Sequence, residues 1–145
     1  MKYDRFEELP VWQDAIELAV RVFELTTRAS FRRYRSVRDQ IERAAMSVSN
    51  NIAEGFERGA TQEILTFLYI SRGSCGETRS ILCLSERLPG LTHLRSEISN
   101  QKPRVSRGNF APGQTHFRIL TFAGSDTLTI RPGDWRRPHV NTKSS

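Results

Sequence analysis

Between Arg28 and Arg38 the chain reads RASFRRYRSVR, five arginines interleaved with Phe31 and Tyr34. Guanidinium forks grip phosphate oxygens, and aromatic faces stack on bases. Arg28, Arg32, Arg33, Arg35 and Arg38 are therefore candidate contacts to RNA or DNA. The same stretch also reads as a solvated interhelical loop whose charges pair with Glu24 and Asp39. A second cluster, SVSNNIAEGFERGA from Ser47 to Ala60, sets two adjacent asparagines, a glutamate and a glycine at the end of an apolar helix. Helix capping accounts for Gly55 and Asn51. It leaves out Glu54, an anion near the negative end of a helix dipole. A structural polar network of Ser47, Asn50, Asn51, Glu54, Gly55 and Arg58 would account for it, with a buried Glu54 held by Arg58 or Arg72. A ligand site is the third reading. The structural network is the one we carry forward.

Other chemistry finds little footing. Cys75 and Cys83 lie eight apart without a CxxC, and His93, His116 and His139 are too dispersed to pair as zinc ligands. Cys75 sits between Gly73 and Gly76 on a packing face, where a thiol behaves as a small core hydrophobe rather than a nucleophile. There is no phosphate-binding glycine loop, dinucleotide fingerprint or HExxH. Glu54, Glu63 and Glu77 are scattered in the manner of a helical surface. We therefore expect no enzyme, no metal and no cofactor.

The elements that must position these clusters are helices. Pro10 suits a first helical turn, where its missing N–H is no loss. Trp12, Ile16, Ala19 and Phe23 recur at helical spacing, beside a second stripe of Val11, Ala15, Leu18, Val22 and Leu25. So wide an apolar face predicts a helix that touches more than one neighbour. A second helix is expected from Ser36 as N-cap, with Asp39 in a capping-box position, a core stripe of Val37, Ile41, Ala45, Val48 and Ile52, and a stop at Gly55. A third runs from Thr61 as N-cap towards Arg87. Its inner face is small at Ser71 to Cys75, which permits close helix approach. The turn LPGL follows, and LTHLRSEISNQ reads as one short helix.

Charge divides the chain in two. Of 22 Lys and Arg and 16 Asp and Glu, residues 1–98 hold 14 of each, so the net +6 lies entirely in residues 99–145. The segment 102–145 has four of the six prolines and no helical period, and reads as a basic tail, disordered or aberrant in origin. Such a tail would hold any polyanion in a salt-dependent way. The division expected is a helical domain over 1–101 and the tail beyond it. The charged N-terminus shows no signal peptide and no run is long enough for a membrane span, so we expect a cytoplasmic protein with no membrane partner.

Three blocks, FEELPVWQDAIELA, RDQIERAAMSVSNNIAEG and FLYISRGSCGET, stand in an order and spacing that resembles the four-helix-bundle proteins encoded in intervening sequences of bacterial 23S ribosomal RNA genes. The resemblance covers about residues 4–91. It implies an all-α, antiparallel up-down bundle and a ring-like homopentamer. It also implies kinship with accessory proteins of diversity-generating retroelements, which bind a reverse transcriptase and nucleic acid. The family's long fourth helix is not matched here. Its pattern decays after HLRSEIS, and Pro103 would break a continuation, as in a replaced or frameshifted C-terminus. The expectation is a non-enzymatic, self-associating bundle that binds RNA. The alternatives are a protein-interaction adaptor for a polymerase-like partner and a defective family copy.

Overall fold

Among the described residues, apolar periodicity becomes three long helices and a short fourth. The computed structural model of the protein describes residues 3–100, and the expectations for 102–145 and for a boundary at 101 lie outside them. Pro10 opens α1 (Pro10–Thr26). A single 3-10 turn, Phe6–Glu8, precedes it. Phe6 packs edge-on against Trp12, with ring centroids 5.1 Å apart. Of the two apolar stripes on α1, the one through Val11, Ala15, Leu18, Val22 and Leu25 is buried. Ala19 joins it, while Phe23 stays 39% exposed. The buried face packs against the later helices Arg35–Arg58 and Leu94–Asn100, with a hydrogen bond on each flank. Thr26 Oγ1 donates to Glu42 Oε1 at 2.6 Å on one side, and Arg21 Nη1 donates to the Ile98 carbonyl at 3.0 Å on the other.

A 3-10 turn, Ala29–Arg33, leads into α2 (Arg35–Arg58). The capping box expected at Ser36 does not form. The helix starts two residues earlier, Tyr34 stands at its N-cap, and no side chain caps it. Asp39 instead lies beside Arg38, at 3.4 Å. Nor does α2 stop at Gly55. It runs on to Arg58 and ends at Gly59, whose φ of 75° is the left-handed conformation that glycine adopts without penalty. The core stripe comprises Ile41, Ala44, Ala45, Val48, Ile52 and Phe56, with Val37 half-buried at its start.

α3 (Thr61–Ser85) returns antiparallel to α2. Thr61 is its first helical residue rather than its cap, which is Ala60. Two close approaches fix the register: Ser71 Oγ donates to the Val48 carbonyl at 2.9 Å, and Ser74 Oγ reaches Ser47 Oγ at 3.0 Å. Ser71, Cys75, Thr78, Leu82 and Ser85 all lie on the buried face. The buried hydroxyls of Thr78 and Ser85 are satisfied by the carbonyls four residues back, Ser74 and Ile81. After the turn, Leu91 and Leu94 enter the core, and α4 (Leu94–Asn100) packs on α1 and α3. The described residues thus form an all-helical, antiparallel bundle.

Candidate nucleic-acid interface

The five arginines of the α1–α2 connection divide into two groups. Arg28 Nη1 meets Glu97 Oε2 at 2.5 Å, an ion pair that ties the end of α1 to α4. Arg38 lies 3.4 Å from Asp39 and 3.8 Å from Glu42. Both charges are already answered within the chain. Arg32, Arg33 and Arg35 are exposed, and no carboxylate of the described residues pairs with them. Arg33 lies over the Tyr34 ring, 5.6 Å from its centroid. Glu24, the partner expected for this loop, takes no part in these pairs.

The aromatics of the stretch are also divided. Phe31 is fully buried, so it cannot stack on a base. It anchors the Ala29–Arg33 turn to the core instead, a burial worth about 1.5–3 kcal/mol. Tyr34 is half-buried, and its hydroxyl donates to the Pro89 carbonyl at 3.0 Å. The local surface is therefore a set of outward cations held on a turn that is fixed from beneath. It suits phosphate contact better than base stacking.

The Ser47–Arg58 cluster splits along the helix. Asn51 Nδ2 donates to the Ser47 carbonyl at 2.6 Å and to Ser47 Oγ at 2.9 Å, while Ser74 of α3 closes the group. Asn50 is exposed, and its side chain makes no hydrogen bond with the described residues. Glu54 is not buried: its side chain is 50% exposed. It accepts from Arg58 at 2.7 Å, and Arg58 also reaches Glu63 at 3.3 Å. These two carboxylates hold the Arg58 guanidinium above its ordinary pKa, the Glu54 hydrogen bond contributing most. Arg72 takes no part. The Arg58 guanidinium lies 4.8 Å from the Phe67 ring centroid, and Phe67 in turn lies against Gly55. The cluster joins α2 to α3 through this hairpin contact, which sequence spacing alone did not disclose.

Elsewhere the described residues hold no cluster of three His, Cys, Asp or Glu able to bind a metal, and no helix long and apolar enough to cross a membrane. Burial pushes the Cys75 thiol up to about 12, away from nucleophile chemistry. On the outer face of α1, Ile16, Ala19, Val20 and Phe23 line an open apolar groove edged by Glu24 and Thr27.

Comparison with known proteins identifies a family. The 23S rRNA-intervening sequence protein family model covers residues 7–106, extending the resemblance beyond Leu91 and past the boundary at 101. No curated protein and no solved structure matches the chain.

Proposed function

The chain belongs to the 23S rRNA-intervening sequence protein family, and from that premise we propose a non-enzymatic, self-associating bundle protein that binds RNA through its α1–α2 connection. The observation that carries the binding is the exposure of Arg32, Arg33 and Arg35 without an acidic partner, against the internal pairing of Arg28 and Arg38. Unanswered arginines on a fixed turn attract phosphates and release counterions on contact. Supporting self-association, Val20 and Phe23 in the α1 groove are each 39% exposed, an apolar surface that a second copy would cover.

Binding of a labelled single-stranded RNA to the full chain, at about 0.15 M salt, tests the first part. The variant Arg32→Glu/Arg33→Glu/Arg35→Glu is expected to lose it. If wild type and variant bind alike, the basic segment 102–145 carries the interaction and the proposal fails. Light scattering tests the second: Phe23→Glu should lower the oligomeric state, and a monomeric wild type would refute it. The adaptor reading would gain if RNA is never retained while the groove variant loses a protein partner.

A further inference from the structure

The turn between α3 and α4 stands at the same end of the bundle as the arginine-rich connection. Tyr34 pins the two together through its 3.0 Å bond to the Pro89 carbonyl. Each loop is also anchored below by one fully buried residue, Phe31 in one and Leu91 in the other. Two residues before Pro89 comes Arg87, exposed and without an ion pair among the described residues. Nearby carboxylates are occupied. Glu86 accepts from the Arg95 amide at 3.1 Å, and Glu97 is engaged by Arg28.

We propose that Arg87 and the Leu88–Leu91 turn complete the binding face begun by Arg32, Arg33 and Arg35, and that this face takes the phosphodiester backbone of RNA without sequence preference. The inference rests on the RNA-binding reading above and extends it to a second loop. Two observations select backbone over base recognition. Phe31 is inaccessible, and the Tyr34 hydroxyl is committed to Pro89, so the stretch keeps its cations while its aromatics serve the fold. Four arginines drawn from two pinned loops make a fixed array of charges, and phosphate contacts carry no sequence information.

The test uses the full chain and two single-stranded RNAs of equal length and unrelated sequence, titrated over a range of salt. Arg87→Gln should weaken both RNAs alike, by roughly threefold to tenfold, and flatten the slope of log affinity against log salt by roughly 0.7 to 1. Arg87→Lys should restore most of the loss. Arg72→Gln removes an exposed, unpaired arginine of α3 that lies about 20 Å before the end of that helix at Ser85, at 1.5 Å per residue, and should change nothing. Unaltered binding by Arg87→Gln, alongside loss in the Arg32/Arg33/Arg35 variant, overturns this inference and leaves the RNA-binding reading standing. Equal weakening by Arg72→Gln also overturns it, because the effect is then diffuse charge. A preference of tenfold or more for one RNA overturns the backbone assignment. If the Arg32/Arg33/Arg35 variant binds as well as wild type, both readings fall together.

Discussion

Gly55 and Phe67 occupy one space between α2 and α3: a Cβ on Gly55 would stand 2.7 Å from the Phe67 Cβ and 3.3 Å from the Ile64 Cα. The obstructing atoms belong to backbone or to the root of a side chain, so no rotamer change relieves them. Gly55 is thus a contact residue inside a helix, where glycine costs about 1 kcal/mol relative to alanine. The closeness it permits is what lets Phe67 sit beneath the Arg58 guanidinium.

Gly55→Ala should therefore destabilise the protein although alanine is the better helix former. Overpacking costs roughly 1–3 kcal/mol or more, against about 1 kcal/mol recovered in propensity. Denaturant unfolding should show a net loss of up to about 2 kcal/mol. A gain in stability would mean that α2 and α3 separate freely.

How far this was legible depends on the kind of signal. The buried stripes of α2 and α3 were readable because a 3.6-residue period reports directly on which face meets the core. The boundaries were less so. Gly55 has the residue type of a terminator, and only the position of Phe67 in space shows that it is a point of close approach; the terminator is Gly59, four residues on. On α1 two apolar stripes competed, and neither period nor composition could say which would be buried. Packing against α2 and α4 decides it, and the bonds from Thr26 to Glu42 and from Arg21 to Ile98 that accompany that packing are long-range. The arginine cluster was visible as a cluster. Its division into paired and unpaired members depends on Glu97, 69 residues after Arg28 in sequence.

Gly73 supplies the converse case. It lies exposed on α3, and a Cβ there would meet nothing within 4 Å. Gly73→Ala should raise stability by roughly 0.5–1 kcal/mol, through helix propensity and a less flexible unfolded chain. Urea denaturation of the full chain measures it. If Gly73→Ala lowers the oligomeric state as well, this face of α3 is covered in the assembly.

Cys75 is buried and Cys83 half-buried. Burial pushes the Cys75 thiol from 9.0 up to about 12. The native state keeps this proton to higher pH than the unfolded chain does. Its contribution to stability is therefore complete below the unfolded thiol's range and is lost as pH rises from about 9 towards 12. A thiol reagent at about pH 8 should modify Cys83 in the native protein and Cys75 only after denaturation. Cys75→Ala should flatten the alkaline fall in stability. Rapid native labelling of both thiols would contradict the packing described.

Glu54→Gln should leave the unfolding midpoint unchanged within error. Its carboxylate is half-exposed, and exposed ion pairs contribute little because water screens them. Arg58 retains Glu63 as a partner and stays over Phe67. Removing the aromatic contact is a different matter: Phe67→Ala should destabilise far more than Glu54→Gln. Thermal melts of both variants give the comparison, and a large loss in Glu54→Gln alone would restore the buried-charge reading.

Arg28 and Arg32 lie four residues apart in one basic stretch, yet the structure gives them opposite work. Arg28 is committed to Glu97, at an ion pair whose side chains are 50% and 38% exposed. Arg28→Gln should loosen α4, raising amide exchange over residues 94–100 and costing roughly 0–1 kcal/mol of stability, as partly exposed pairs do. Its effect on RNA affinity should be small, because a guanidinium already paired with a carboxylate has little attraction left for phosphate. Arg32→Gln should show the reverse pattern. Its side chain is exposed and unpaired, so the melting temperature should hold while affinity falls and the salt dependence flattens. Measuring exchange, melting and affinity on both variants separates structural from binding arginines within a stretch where sequence makes them equivalent. Equal loss of affinity in the two would show that Glu97 yields Arg28 to the ligand, and that α4 is released when RNA binds.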